Sequence, residues 1–140
     1  MSDSVRTPEL DAAFRATSYR VDSAAGVFDL RIGVANRAFD DFLRGQCVSC
    51  WGLVTAHNPG GVRCDEQNAA RQRDLLCRLK SIQWRWLPAC HVADDGHWPV
   101  EPSVLILQVG EAELCALASD FSQAAIVCGE VGFPPHLVWL

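Results

Sequence analysis

The stretch WGLVTAHNPGGVRCDEQNAARQ, residues 51–72, decides how the rest of this chain is organised. Its start belongs to a nearly continuous apolar run over residues 50–56, which predicts a central strand buried on both faces. A polar loop that ends in Gly60 and Gly61 follows, and glycines allow close approach to the backbone. From residue 65 to about residue 80 the spacing of the leucines predicts a helix with an acidic first turn. The stretch therefore predicts a strand–loop–helix unit whose junction carries polar side chains.

Apolar periodicity on both sides of this unit predicts the remaining elements. Before it we expect a short helix at 9–16, a hairpin of strands at 19–21 and 27–32, and a helix at 35–45. After it we expect a strand at 82–87 ended by Pro88, a loop at 91–102, a strand at 103–109, a helix at 111–121, and strands at 124–128 and 137–140. This interleaving predicts an α/β domain, with α+β as the alternative: a mixed sheet of about five to seven strands with three main helices packed on it.

Length and charge limit the classes of protein that this chain can belong to. Its 140 residues, of which 49% are hydrophobic and 21% charged, are typical of one globular domain. We expect residues 1–8 to be a loose tail and residues 9–140 to be the domain. The formal net charge of −5 repels phosphate backbones, so nucleic acid is the least favoured partner.

The termini, apolar runs and cysteines predict a cytoplasmic protein without a metal site. The N-terminal MSDSVRTPEL has no cationic start followed by an apolar run, and no apolar run approaches the roughly 18 residues that span a bilayer. An odd set of seven cysteines without secretory context predicts free, mostly buried thiols. Cys47 and Cys50 form a CxxC, but no second pair has matching spacing, so no metal is expected.

The junction after strand 50–56 is the first candidate site. Thr55, His57 and Asn58 lie in its loop, and Asn68 and Arg71 lie in the first turns of the next helix, where free amides and the helix dipole favour anions. Arg71 would add charge-assisted donors. The alternative is purely structural: Asn-Pro-Gly-Gly is a good turn sequence, and Asn68 and Arg71 would then tie that turn to the helix.

The second candidate is the loop that precedes strand 103–109. Within residues 91–103, Asp94, Asp95, His97 and Glu101 supply carboxylates and an imidazole, the residue types needed for acid–base chemistry or metal binding. The alternative is that Asp-Asp-Gly is an ordinary turn sequence and His97 a solvated side chain. Trp98 and Ser103 belong to the same stretch. Glu101 directly precedes an apolar strand, so we expect it to be partly buried and to need a partner, for which Arg71 or His57 is the candidate.

Seven short motifs, taken in order, resemble a bacterial family of domains of unknown function, numbered 3293. They are Thr17-x-Tyr19, Ile32-Gly33, Thr55-Ala56-x-Asn58-Pro59, Glu66-x-Asn68-x-x-Arg71-Gln72, Trp98-Pro99-x-Glu101-Pro102-Ser103, Gln123-x-Ala125-Ile126-Val127 and Leu137-Val138-Trp139. The resemblance extends from about Phe14 to Trp139. The chain departs from the family pattern at Gly60, where the family usually has Ser, and in the run Phe121-Ser122-Gln123-Ala124, where the family has Phe-Gly-Gln-Asn. The resemblance implies a fold and the location of a site, and no activity.

The sequence best predicts a small domain that binds a small polar or anionic ligand at the loop after strand 50–56. The expected ligand-binding residues are Thr55, Asn58, Asn68, Arg71, Trp98, Glu101 and Ser103. If the domain is an enzyme, Glu101 or His57 would be its acid–base group; no cofactor is indicated. The alternative is a non-catalytic interaction or regulatory module, which predicts a flat apolar patch around Trp84, Trp86 or Trp98 instead of a pocket.

Overall fold

Seven strands and four helices make up the described part of the chain, residues 6–58 and 65–140 of a computed structural model. The strands are β1 Thr17–Ser23, β2 Gly26–Leu30, β3 Cys50–Val54, β4 Trp86–Ala93, β5 Glu101–Leu107, β6 Ala125–Glu130 and β7 His136–Trp139. The helices are α1 Pro8–Arg15, α2 Arg37–Gly45, α3 Asp65–Ile82 and α4 Glu111–Asp120. Within residues 6–58 and 65–140, no helix has both the length and the apolar character needed to cross a membrane. Most of the predicted tail, residues 1–5, and Gly60 with Gly61 lie outside the described residues.

The strands form one curled sheet in the order β2-β1-β4-β5-β3-β6-β7, which confirms the predicted α/β domain. All six described strand pairs are antiparallel, so the sheet is antiparallel where a mixed sheet was expected. The sequence of a strand buried on both faces is a continuous apolar run whether its neighbours are parallel or antiparallel to it. Direction depends on which strands become neighbours, and that is a long-range choice.

Both faces of the sheet are covered by helices. On one face, α3 and α4 bury Leu75, Leu79, Leu114 and Leu117 against Val54, Val104, Ile106 and Ile126. On the other face, α2 buries Phe39 and Leu43 against Tyr19, Trp51, Leu53 and Leu105. The short helix α1 begins after the N-cap Thr7 and lies beside that second face, where the Tyr19 hydroxyl donates to the Phe14 carbonyl at 2.8 Å. The second face is therefore shared between two short helices.

The prediction for residues 82–102 was wrong in detail. Helix α3 continues to Ile82, and β4 spans Trp86–Ala93, where a strand ending at Pro88 and then a loop were expected. Pro88 is tolerated inside β4 because it pairs with Val104 on one side, while pairing to β1 on the other side begins only at Ala89. No ladder hydrogen bond from its nitrogen is then required on the β1 side. This extension of β4 places His91 on a strand.

Most of the described cysteines do not belong to the core, contrary to expectation. Six free cysteines are described; only Cys128 is buried, whereas Cys47 and Cys77 are exposed. Cys77 lies on the outer side of α3, and Cys47 occupies a turn after α2 with φ of 57°. Their distribution gives no sign of a shared thiol cluster in residues 6–58 and 65–140.

Candidate functional site

A pocket of about 360 Å³ lies at one end of the sheet, beneath α1. Antiparallel pairing brings the C-terminal ends of β3 and β4 to the same end of the sheet as the N-terminal ends of β1, β5 and β6. The polar residues that line the pocket are Thr17, Tyr19, Thr55, His57, Asn58, His91, Asp95, His97, Trp98, Glu101 and Gln123. Its apolar lining includes Leu10, Phe14, Leu53, Ala125 and Val127. The pocket is thus an apolar cleft with a polar end.

The structure divides the predicted site residues into two groups. Thr55, Asn58, Trp98 and Glu101 line the pocket, together with the predicted catalytic candidate His57. The other three predicted residues, Asn68, Arg71 and Ser103, are not part of its lining. Ser103 is buried, and its Oγ has no hydrogen-bond partner in the described structure. The two loops that the sequence singled out therefore meet, but not all their polar residues face the same space.

Asn58 and Asn68 form a reciprocal, buried pair. The Asn58 backbone N–H donates to Asn68 Oδ1 at 2.9 Å, and Asn68 Nδ2 donates to Asn58 Oδ1 at 2.9 Å. Asn58 has φ of 47°, a left-handed conformation that asparagine tolerates better than most residues. Because Asn58 Oδ1 accepts from Asn68, its Nδ2 is the atom that faces Glu101, and it donates to Glu101 Oε1. The pair fixes the orientation of the Asn58 amide in the pocket.

Glu101 is one of the two carboxylates that line the pocket, the other being Asp95, and its side chain is 17% exposed. Burial raises the pKa of Glu101, while hydrogen bonds from Asn58 and Trp98 oppose that rise. Its second oxygen, Oε2, lies 3.9 Å from His91 Nδ1. Neither Arg71 nor His57, the partners expected from the sequence, is among the described contacts of Glu101, which are Asn58, Trp98 and His91.

Arg71 ties the loop to helix α3. Its Nε donates to the Ala56 carbonyl at 3.2 Å, and its Nη2 donates to Asn68 Oδ1 at 2.9 Å. Gln72 reinforces the same connection by accepting from the Ala56 N–H at 3.3 Å. These contacts of Arg71 agree with the alternative that Arg71 ties the turn to the helix. They hold the loop on the side away from the pocket.

Two further side chains hold the loop from the pocket side. Thr55 Oγ1 donates to the Pro102 carbonyl at 2.9 Å and accepts from the His57 N–H at 3.1 Å. Gln123 Nε2 donates to the His57 carbonyl at 3.1 Å. Gln123 carried no signal in the sequence beyond its place in one family-like motif, since one amide after a helix is ordinary. Its contact links the loop after β3 to the start of β6.

His91 is a pocket residue that sequence reasoning missed, because the predicted strand ended before it. Its ring meets that of Tyr19 edge-on with centroids 4.7 Å apart, and its buried Nε2 has no partner in the described structure. Burial, and secondarily His57, lower the pKa of His91 to about 4. The imidazole is therefore neutral near pH 7 and adds no positive charge beside Glu101.

Acidification between pH 6.5 and 4 is expected to destabilise the native protein through His91. Its folded-state pKa of about 4 is below the unfolded value near 6.5, so the unfolded chain takes up the proton first. The stabilisation is complete above pH 6.5 and falls by about 3 kcal/mol towards pH 4. Glu101, whose pKa is raised, acts in the opposite direction, and Tyr19 stays neutral throughout. Urea unfolding of native protein and His91→Phe across this range measures the difference; parallel pH profiles would contradict it.

Glu101 and His57 remain candidate acid–base groups on geometric grounds. Both line the pocket, burial raises the pKa of Glu101, and burial together with Arg71 lowers the pKa of His57. A carboxyl and an imidazole whose pKa values approach each other are able to exchange a proton through a bound molecule.

For metals, residues 6–58 and 65–140 contain no cluster of three His, Cys, Asp or Glu side chains arranged to hold an ion, and Cys64 is outside them.

Together these features define an α/β domain with a curled antiparallel sheet and a pocket at one end of it. The family model described as "Protein of unknown function (DUF3293)" matches residues 54–126, which are 73 of the 140 residues. The chain belongs to this family. The matched segment begins at the end of β3 and ends in β6, so it includes Asn58, Asn68, His91 and Glu101. No curated protein and no solved structure matches the chain.

Proposed function

We propose that the pocket beneath α1 binds a small organic ligand whose polar end meets Glu101. The observation that carries this proposal is a pocket of about 360 Å³ whose lining includes the Glu101 carboxylate, held by the Asn58 amide. That volume is within the range of roughly 300–1,000 Å³ that small-molecule sites occupy. A few convergent polar groups in a mainly apolar cleft are the usual composition of such a site.

A polar ligand is better supported than an anionic one. The described residues that line the pocket include Glu101 and Asp95, and none of them is Lys or Arg. The described contacts of the Arg71 guanidinium are with Ala56, Gln67 and Asn68 behind the pocket wall. The sequence predicted that Arg71 would donate to a bound anion, and these contacts give that role no geometric support.

The alternative of a flat tryptophan surface for a protein partner has less support. Trp84 and Trp86 pack against the core beneath α3 and α4. Trp98 is 39% exposed, but it lines the pocket. The arrangement favours ligand binding over an interaction module, and catalysis by Glu101 or His57 remains a separate prediction.

Binding of a small polar compound is expected to raise the melting temperature of the native protein, since it stabilises only the folded state. At a ligand concentration of 100 times Kd, the gain is about 2.7 kcal/mol. A thermal-shift screen of small polar metabolites measures this. Ala13→Trp, which puts a large ring on the pocket wall of α1, is expected to abolish the shift. Ala12→Trp is the matched control, because Ala12 is exposed and outside the lining. A shift by no compound, or an equal shift in both variants, would contradict the proposal.

A further inference from the structure

We propose that the pocket selects an organic cation: an ammonium group that pairs with Glu101, attached to an apolar body that fills the rest of the cleft. This inference rests on the proposed function and names the chemical class of the ligand.

The first argument is that the partly buried Glu101 carboxyl group has no Lys or Arg partner among the described residues. Its described contacts are the Asn58 amide, the Trp98 side chain and His91 Nδ1 at 3.9 Å. No described Lys or Arg forms an ion pair with it. A largely buried carboxylate is stabilised strongly by a cation and weakly by neutral donors. Neutral His91 does not supply that cation, so a ligand is the remaining source.

The second argument is the direction in which the carboxylate is held. Asn58 Nδ2 donates to Oε1, and the Asn58–Asn68 pair fixes that amide. The second oxygen, Oε2, lies 3.9 Å from His91 Nδ1, which is beyond hydrogen-bond distance. It is therefore the acceptor for an N–H of the ligand. A charge-assisted hydrogen bond at this oxygen would be about twice as strong as a neutral one.

The third argument is the chemistry of the walls. The pocket is lined by the aromatic residues Phe14, Tyr19 and Trp98 and by the apolar residues Leu53 and Val127. Aromatic faces attract cations as well as apolar groups, and they offer no such attraction to a carboxylate. The walls and the charge therefore select the same class of ligand, a cationic head on an apolar body.

The test uses three probes of similar shape and different charge: 2-phenylethylammonium, 2-phenylethanol and phenylacetate. Isothermal titration of the full chain at pH 7.5 is expected to show the ammonium binding at least about tenfold more tightly than the other two. Glu101→Gln keeps a side-chain oxygen that can accept from Asn58, and is expected to remove the preference. Glu113→Gln, at an exposed position on α4, is the matched control and is expected to keep it.

A second measurement does not depend on any variant folding. In the native protein, ammonium affinity is expected to fall as Glu101 becomes protonated at low pH, while alcohol affinity stays level. Equal affinities for the three probes, tighter binding of phenylacetate, or a preference that survives Glu101→Gln would overturn the inference. Failure of all three probes at millimolar concentration would overturn it too, and the proposed function would then stand or fall on the metabolite screen alone.

Discussion

Replacement of Asn68 by Leu is expected to lower the free energy of unfolding by about 3–5 kcal/mol. Asn68 is 5% exposed, and its side chain accepts from the Asn58 N–H and from Arg71 while donating to Asn58 Oδ1. Leucine has a similar volume but supplies none of these contacts. Each buried polar group that loses its partner costs about 1–3 kcal/mol, and a charged donor costs more. Urea denaturation, with an unchanged dependence on denaturant, measures the loss.

Gln67→Leu is the matched control for this substitution. Gln67 precedes Asn68 on the same helix, is exposed, and accepts a hydrogen bond of 2.8 Å from Arg71 Nη1. Its replacement is expected to change the unfolding free energy by less than about 0.5 kcal/mol. A loss below about 1 kcal/mol for Asn68→Leu would show that the pair contributes little to stability. In that case, the orientation of Asn58 towards Glu101 would have to come from other contacts.

The second large effect is expected at the contact between Trp51 and Gly129. These residues are direct partners across β3 and β6, and the Trp51 indole covers the position where a Gly129 side chain would begin. Trp51 is 2% exposed and meets Phe39 edge-on at 5.6 Å. Trp51→Ala is expected to cost about 3–5 kcal/mol through loss of this buried ring. Gly129→Ala is expected to cost about 1–3 kcal/mol, because its methyl group would overlap the indole.

A double-mutant cycle separates these two costs. In the Trp51→Ala background, Gly129→Ala is expected to be nearly neutral, since the ring that it would overlap is absent. Gly45→Ala is a control of opposite sign: Gly45 ends α2, its added methyl group meets nothing within 4 Å, and alanine favours a helix by about 0.5–1 kcal/mol. Additive costs at Trp51 and Gly129 would contradict the assigned overlap.

Local patterns predicted much of the fold because they report which side of each element is buried. Alternation of Phe28 and Leu30, the helical spacing of Leu75 and Leu79, and the apolar run of β3 all correspond to observed elements. Pro88 led to a wrong prediction of the end of β4. Its missing N–H removes no ladder hydrogen bond on the β1 side, because pairing with β1 begins only at Ala89. Because β4 was then ended too early, His91 was placed in a loop.

Part of the candidate site was predictable, because polar residues beside a buried strand have few structural reasons to cluster. Thr55, Asn58, Trp98 and Glu101 do line one pocket. The sequence could not show that these residues line the pocket while Asn68 and Arg71 do not. Asn68 and Arg71 belong to one of the same family-like motifs, but they bind the loop after β3 on the side away from the pocket. That division depends on the direction in which each side chain points from a helix whose rotation is set by its packing on the sheet.

The sequence by itself determined the elements of this protein, their buried sides and the two loops that carry its polar motifs. These follow from periods of two and 3.6 residues, which act over a single turn or strand. Only the tertiary structure decided that the sheet is antiparallel, that α1 forms the pocket wall and that Asn58 orients Glu101 across 43 residues. The physical reason is that strand pairing joins distant segments through backbone hydrogen bonds, which are the same for every residue type. Any one stretch of the sequence therefore carries little information about which strands pair with each other.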